Sequence, residues 1–182
     1  KKTILFVSHD LEEALKIGNR ITIMEGGRIV QSGAPEDIVL KPANDYVREF
    51  VANVNPLNVL TAYHVMRDAR DLEPAGEGWV FLDRRRTTRL KLDGERRVEA
   101  ASRDGREVAW ARLDQGGQAS RQGGDIVHVG TSATPLRAVM GAMQTNAAPV
   151  ALFDENERLI GAIGVRDVLR AILRARPEVE SS

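Results

Sequence analysis

The sequence predicts an α/β protein built in two parts, and three observations carry this prediction. An apolar, β-rich run, Ile4–Val7, is followed at once by a helical pattern. The segment Asn53–Pro56 then breaks the pattern of the first part. In the last third of the chain, the segments follow the order strand, helix, strand, strand, helix.

The first part contains a strand, a hairpin and short helices. Ile4–Val7 is apolar throughout, which predicts a strand buried on both faces. Asp10 lies three residues before Glu13 and predicts a helix cap. A glycine turn between residues 21–24 and 28–31 predicts a hairpin, and Pro35 predicts the first position of the next helix.

Residues 56–124 are less regular. Short strand-like runs separated by Asp-Gly pairs occupy residues 79–112, and a Gly/Gln/Ser-rich segment, 114–125, is typical of a linker. A weak internal repeat pairs residues 98–113 with residues 150–165, because both consist of two strands around an acidic or glycine turn.

Composition excludes several classes of protein. The 26 Lys and Arg residues balance 26 Asp and Glu residues, so the net charge does not favour nucleic acid as a partner. The absence of cysteine excludes disulfides and thiolate chemistry. No apolar run approaches the ~20 residues of a membrane-spanning helix. Neither His64 nor His128 has the spacing of a metal ligand, and we expect no metal site.

The stretches "TILFVSHDLEEAL" and "GNRITIMEGGRIVQSGAPEDIVLKPANDYVREFV" resemble the end of an ATP-binding-cassette (ABC) ATPase domain. The segment "TSATPLRAVMGAMQTNAAPVALFDENERLIGAIGVRDVLRAI" resembles one half of a paired CBS (cystathionine-β-synthase-type) module. The resemblance implies an α/β fold in which the C-terminal remnant of a P-loop ABC ATPase domain (residues 1–55) precedes a tandem CBS-type β-α-β-β-α module. We expect a degenerate CBS-like repeat and linker at 56–124 and a CBS repeat at 125–176.

His9 is the catalytic candidate. In the ABC family a strand-end histidine contacts the γ-phosphate of ATP, and the resemblance places His9 in that role, with ATP and Mg as cofactors. The phosphate-binding motif G-x-x-x-x-G-K-[ST] does not occur in this sequence, so we expect these 182 residues alone to be inactive. The chain begins with Lys1, and we expect further sequence upstream of it.

Asp167 is a second candidate. Paired CBS repeats often hold adenine nucleotides, and a Thr/Ser-x-x-Asp pattern contacts the ribose. Here the pattern reads Gly164-Val165-Arg166-Asp167, so the carboxylate is present but the hydroxyl is missing. Asp167 is equally well explained as a helix cap or a first-turn acid.

The segment 84–97 is strongly basic and is either a solvated strand face or a contact for anionic lipid. Its cationic side chains are those of Arg84, Arg85, Arg86, Arg89, Lys91, Arg96 and Arg97.

The resemblance as a whole implies the ATP-binding subunit of an ABC importer for quaternary amines such as glycine betaine, choline or proline, with a regulatory CBS tail. It implies a second ATPase subunit, a membrane permease and, indirectly, a periplasmic or extracellular solute-binding protein as partners. It also implies a peripheral position on the cytoplasmic face of a bacterial inner membrane. The alternative is a stand-alone CBS-type sensor of adenine nucleotides or ionic strength that catalyses nothing.

Overall fold

The computed structural model describes residues 2–113 and 125–175. The chain forms two compact units, a first unit with the residues up to Val59 and a second unit, Leu60–Arg170. The predicted linker 114–125 lies outside the described residues except for its last position.

Helices and one hairpin make up the first unit. Its elements are α1 (Leu11–Ile17), β1 (Ile21–Glu25), β2 (Arg28–Gly33), α2 (Pro35–Leu40) and α3 (Asp45–Val51). Gly26 and Gly27 join β1 to β2 with φ values of 55° and 77°, as a two-residue turn with two positive φ angles requires. The predicted hairpin and the predicted position of Pro35 are confirmed. Buried apolar side chains of α1, β1, α2 and α3 form the core, and the partly buried Val30 of β2 packs against it.

The predicted strand at Ile4–Val7 is wrong. These residues are irregular, and the side chains of Leu5 and Val7 are 91% and 87% exposed. A strand buried on both faces needs neighbouring strands to accept its backbone hydrogen bonds, and within residues 2–113 and 125–175 the strands β1 and β2 pair only with each other. An apolar, β-rich composition alone therefore does not form the strand.

The second unit is built on a nine-stranded sheet in the order β3-β11-β10-β9-β8-β7-β6-β5-β4. Its strands are β3 (Arg67–Asp68), β4 (Pro74–Gly76), β5 (Trp79–Phe81), β6 (Thr88–Leu92), β7 (Val98–Arg103), β8 (Arg106–Arg112), β9 (Ile126–Thr131), β10 (Val150–Phe153) and β11 (Leu159–Ile163). The helices α4 (Leu136–Asn146) and α5 (Val165–Ala175) follow β9 and β11. Strands β4 to β8 form an antiparallel meander, whereas β9 is parallel to both β8 and β10.

The predicted order of the last third, strand-helix-strand-strand-helix, is confirmed by β9-α4-β10-β11-α5. The predicted strands between residues 79 and 112 are also confirmed. Between residues 56 and 113 the helices are 3₁₀ turns of three residues, at Pro56–Asn58, Ala62–His64 and Ala69–Asp71. The interpretation of this region as a degenerate repeat stays a prediction.

Hydrogen bonding favours a different alignment of the internal repeat. In the β6–β7 turn the Asp93 carboxylate accepts the backbone N–H groups of Glu95 and Arg97, each at 2.8 Å. In the β10–β11 turn Asp154 accepts those of Asn156 and Arg158 at 2.9 and 2.8 Å.

Both strand pairs also carry the same register shift. Leu92 opposes Val98 while Lys91 opposes Ala100, and Phe153 opposes Leu159 while Leu152 opposes Gly161. The segment that matches 150–165 in structure is therefore the β6–β7 hairpin, not residues 98–113. Sequence letters alone favoured the β7–β8 hairpin because both hairpins alternate apolar residues around an acidic turn.

His128 is buried in β9 with 3% of its surface exposed, and no hydrogen-bond partner of its Nε2 is present among the described residues. Burial lowers the pKa of His128 below its usual 6.5, because desolvation penalises the charged ring. Below about pH 6.5 the unfolded chain therefore binds a proton at His128 more readily than the folded chain does.

We expect the free energy of unfolding to fall as the pH drops below about 6.5, and replacement His128→Leu to reduce this dependence. Urea unfolding at about pH 7.5 and about pH 5 measures it. Thr88→Val is the matched control, because Thr88 is likewise a buried polar residue in a strand of the second unit but does not titrate in this range. An unchanged pH dependence in His128→Leu would contradict the prediction.

Candidate functional site

His9 lies in the first unit, exposed, between the irregular segment that precedes it and the start of α1. Its neighbours form the helix cap. Asp10 accepts the N–H of Glu13 at 3.0 Å, which confirms the predicted cap. Ser8 Oγ accepts the N–H of Asp10 at 3.0 Å and donates to the Glu13 carboxylate at 3.2 Å. Ser8 and Asp10 are thus engaged locally, and the imidazole of His9 projects from a capped turn rather than from the end of a strand.

Asp167 lies in the second unit, in the first turn of α5, and is only 9% exposed. Its Oδ2 accepts the backbone N–H of Gly164 at 2.8 Å, so the carboxylate satisfies one of the unpaired amides at the start of the helix. The same oxygen accepts Nε of Arg67 at 3.1 Å. The structure thus supports the alternative in which Asp167 acts as a first-turn helix acid.

Arg67 links three parts of the second unit. It lies in β3, its Nε donates to Asp167 at the start of α5, and its Nη2 donates to the carbonyl oxygen of Leu82 after β5. Both charged side chains are largely buried, with 16% of Arg67 and 9% of Asp167 exposed. Sequence reasoning missed Arg67, because the two partners are 100 residues apart and no local pattern joins them.

This geometry limits what Asp167 can do chemically. A ribose contact requires an accessible carboxylate, whereas Asp167 is only 9% exposed and its Oδ2 already accepts hydrogen bonds from Arg67 and Gly164. Gly164 has no hydroxyl to add, so the site lacks one of the expected polar groups. The arrangement fixes the start of α5 against β3.

Ion pairs neutralise three of the seven cations in the predicted basic segment 84–97. Arg86 pairs with Glu73, Lys91 with Glu99 at 2.8 Å, and Arg97 with Asp93 at 2.9 Å. Each of these pairs raises the pKa of its basic group, chiefly through the side-chain hydrogen bond. Part of the positive charge of this segment is therefore neutralised on the surface.

The remaining cations of the segment behave differently. The guanidinium of Arg89 lies 4.5 Å from the ring centre of Trp79, a cation–π contact. Within residues 2–113 and 125–175, Arg84, Arg85 and Arg96 form no ion pair. Arg84 and Arg85 lie in the β5–β6 connection and Arg96 in the β6–β7 turn, so the unpaired charges lie at opposite ends of β6.

Asp83 holds the connection that carries Arg84 and Arg85. Its carboxylate accepts the N–H and Oγ of Thr87 and the N–H of Thr88 at 2.8 to 3.0 Å. Burial pushes the pKa of Asp83 upward, but these hydrogen bonds outweigh it and the net pKa is lowered. The turn is therefore ordered by an ionised carboxylate at neutral pH.

In residues 2–113 and 125–175, no three His, Cys, Asp or Glu side chains come together as a metal site. Over the same ranges, no helix has the length and apolar character that crossing a membrane demands.

Residues 124–174 match the family model of the CBS domain, and they coincide with β9-α4-β10-β11-α5. The chain contains a CBS domain. Asp167 thus lies in the last helix of this CBS domain, and its Arg67 partner comes from the strand β3 that is added to the CBS sheet beside β11.

Proteins of known transport systems are similar to the chain as a whole. The glycine betaine transport ATP-binding protein of Bacillus subtilis (strain 168) is 32% identical over 97% of the chain and 43% of that protein. The glycine betaine/proline betaine transport system ATP-binding protein of Escherichia coli (strain K12) is 31% identical over 96% and 45%. The osmoprotectant import ATP-binding protein of Salmonella typhimurium (strain LT2) is 30% identical over 90% and 44%.

The resemblance drawn from the sequence is therefore confirmed, for the CBS domain and for the ATP-binding proteins of osmoprotectant transport. The chain spans less than half the length of these relatives.

We expect Arg67→Met to destabilise the second unit by about 3 kcal/mol, because it leaves the buried Asp167 carboxylate without its cation. Urea unfolding measures the loss. Arg70→Gln is the matched control, since Arg70 pairs with Asp68 but its side chain is 85% exposed, and solvent screens such a pair so that its loss should leave stability nearly unchanged. Equal stability of Arg67→Met and the wild type would show that Asp167 does not depend on this pair.

Proposed function

We propose that the chain is part of the ATP-binding subunit of an ABC importer for quaternary amines, and that its CBS domain regulates that subunit. The observation that carries the proposal is similarity along 90% to 97% of the chain to ATP-binding proteins of glycine betaine and osmoprotectant transport, together with the CBS match at residues 124–174. In this proposal the intact subunit is a transport-coupled ATPase, and residues 1–55 are the end of its ATPase domain.

His9 is the residue to which we assign a contact with the γ-phosphate of the nucleotide. Its imidazole is exposed and its neighbours Ser8 and Asp10 are occupied in the cap of α1, so the ring is available to an oxygen of the γ-phosphate. An imidazole can donate a hydrogen bond to such an oxygen in its neutral and in its charged form. The remaining contacts to ATP and Mg belong to residues outside this sequence, because the phosphate-binding motif does not occur in it.

The exposed apolar residues before His9 fit the same proposal. Ile4, Leu5 and Val7 are each at least 85% exposed, although their composition is that of a buried strand. In an intact ATPase domain, neighbouring strands would accept the backbone of this segment and fix His9 at the edge of a sheet. The proposal thus explains why the predicted strand is absent from these residues.

The partners follow from the same proposal. A second ATPase subunit, a membrane permease and, indirectly, a solute-binding protein complete an importer of this class. Such an ATP-binding subunit lies on the cytoplasmic face of a bacterial inner membrane, bound to its permease.

A stand-alone CBS-type sensor is the second candidate, with an adenine nucleotide bound near Asp167. The carboxylate supports this candidate, but its engagement with Arg67 and Gly164 weighs against it. The observation that favours the importer is that the similarity covers nearly the whole chain rather than the CBS domain alone.

We further propose that the unpaired cations Arg84, Arg85 and Arg96 let the second unit contact anionic lipid. A cation near an anionic membrane contributes ~1 kcal/mol to binding, and salt screens the attraction over about 8 Å at physiological ionic strength. A regulatory unit that binds lipid in this way would respond to the ionic strength of the cytoplasm.

We expect the 182-residue chain to hydrolyse no ATP above the buffer rate, and His9→Ala in the intact subunit to lower turnover by about 100-fold or more. Steady-state phosphate release measures both, and a nucleotide-binding assay separates binding from turnover. Glu12→Gln is the matched control, because Glu12 is an exposed residue of α1 that is not part of the cap. ATP turnover by the 182-residue chain that His9→Ala abolishes would overturn the proposed division of the site.

We expect the triple change of Arg84, Arg85 and Arg96 to Gln to weaken binding to vesicles with anionic lipid by about two orders of magnitude, at ~1 kcal/mol per cation. The control is the same triple change of Arg86, Lys91 and Arg97, which removes equal charge from side chains that are already ion-paired. Co-sedimentation at low and high salt measures the binding. Equal binding to neutral vesicles, or equal loss in both variants, would contradict the proposal.

A further inference from the structure

A cavity of about 100 Å³ lies in the second unit, at the carboxyl ends of β8, β9 and β10. The two matching turns, residues 93–97 and 154–158, each contribute a side chain to its lining, Arg97 and Glu157. A hydrogen bond of 3.1 Å from Leu159 N–H to the carbonyl oxygen of Arg96 joins the two hairpins. Side chains of both signs, an aromatic ring and an apolar floor line it; those used below are Arg97, Trp110, Arg112, Val129, Phe153 and Glu157.

This cavity is separate from the region of Asp167. It lies where β9 and β10 end, whereas Gly164 and Asp167 follow the end of β11. Because β11 runs antiparallel to β10, the ends of these two strands point to opposite edges of the sheet. A ligand in the cavity would not contact Asp167, and its binding would not depend on the Arg67 ion pair.

The floor and one wall of the cavity are apolar. Val129 and Phe153 belong to the buried core of the second unit, and Trp110 lies beside them with 38% of its surface exposed. In open sheets, ligands bind beyond the carboxyl ends of parallel strands, and β8, β9 and β10 are parallel to one another. A partly exposed indole at such a position offers a π face to a cationic group.

The rim of the cavity carries balanced charge. Arg112, at the end of β8, forms an ion pair with Glu157 of the β10–β11 turn, and both side chains are more than half exposed. Arg97 lies on the opposite turn and is paired with Asp93 and Glu95. An exposed ion pair contributes little to stability, so a ligand that supplies both charges can open the Arg112–Glu157 pair at small cost.

We propose that this cavity binds a small zwitterion with a methylated ammonium group and a carboxylate, the chemistry of glycine betaine. The ammonium group lies against Trp110 and near Glu157, and the carboxylate is bound by Arg112. The ligand is neutral overall, as is the ion pair it separates. The small volume of the cavity favours a ligand with few non-hydrogen atoms.

The biological meaning of the site rests on the proposed function. If the importer delivers quaternary amines into the cytoplasm, a site for them in its regulatory unit would report the level already accumulated. Neither ATP hydrolysis nor transport is needed to detect the binding itself, so the ligand can be tested on the chain alone.

The chain contains two tryptophans, Trp79 and Trp110, which give an internal control. We expect titration of the ¹⁵N-labelled 182-residue chain with glycine betaine to shift the indole N–H signal of Trp110 saturably. The signal of Trp79 should stay in place, because Trp79 lies on β5 under Arg89 and does not line the cavity. Choline lacks the carboxylate and glycine lacks the methyl groups, and we expect each to bind at least about tenfold more weakly.

Variants test the assigned contacts. Arg112→Gln, Glu157→Gln and Trp110→Leu should each weaken the binding of glycine betaine by about tenfold. Because Trp110→Leu removes the indole signal, calorimetry follows binding to that variant. Arg106→Gln is the matched control, because Arg106 is an exposed arginine of the same strand that does not line the cavity. The dispersion of the remaining amide signals shows whether each variant is folded.

The proposal is overturned if Trp110 does not shift, if both tryptophans shift together, or if glycine and glycine betaine act alike. It is also overturned if Arg106→Gln weakens binding as much as Arg112→Gln. A negative result would leave the ATPase and transport proposals intact, because they are measured by phosphate release in the intact subunit. Saturable binding by the 182-residue chain would equally stand if the intact subunit proved inactive.

Discussion

Parallel pairing of β9 on both edges is the interaction on which the second unit depends. All residues of β9 except its last are buried, and the strand joins the antiparallel meander β4–β8 to the CBS hairpin β10–β11. Parallel neighbours cannot be linked by a tight hairpin, and a connection between them takes about a dozen residues or more. The chain meets this requirement twice, with α4 between β9 and β10 and with residues 113–125 between β8 and β9. The second connection, rich in Gly, Gln and Ser, thus has the length that two parallel neighbouring strands require.

The Arg67–Asp167 pair shows how a motif residue can be engaged by the fold itself. Sequence comparison draws attention to Asp167 because CBS domains place a carboxylate there for nucleotides. In this chain the hydroxyl of that pattern is a glycine, and the carboxylate is held by an arginine from β3 and by the start of α5. An unpaired buried carboxylate is costly, so Asp167 requires a cation such as Arg67 whether or not a ligand is bound. Within the described part of the chain, the cavity at the opposite edge of the sheet has no such internal partner for its aromatic ring and is the better candidate for a ligand site.

The matching hairpins β6–β7 and β10–β11 place the side chains that line the cavity. Each turn is organised by one aspartate, Asp93 or Asp154, and each pair of strands has the same register shift. Because the two turns are hydrogen-bonded to each other, the turn side chains Arg97 and Glu157 line the same cavity. This juxtaposition could not be read from the sequence, in which residues 150–165 matched the neighbouring β7–β8 hairpin.

The sequence by itself determined the local structure and the family resemblance. Caps and turns are decided within a few residues, so Asp10, Gly26-Gly27 and Pro35 could be assigned correctly. The order of the CBS elements followed from the period of the apolar residues. Only the tertiary structure decided that Ile4–Val7 is not a strand, that Arg67 binds Asp167, and that Trp110, Arg112 and Glu157 share a cavity. Each of these depends on which distant segments become neighbours, and a strand or a buried charge is stable only when such neighbours satisfy it.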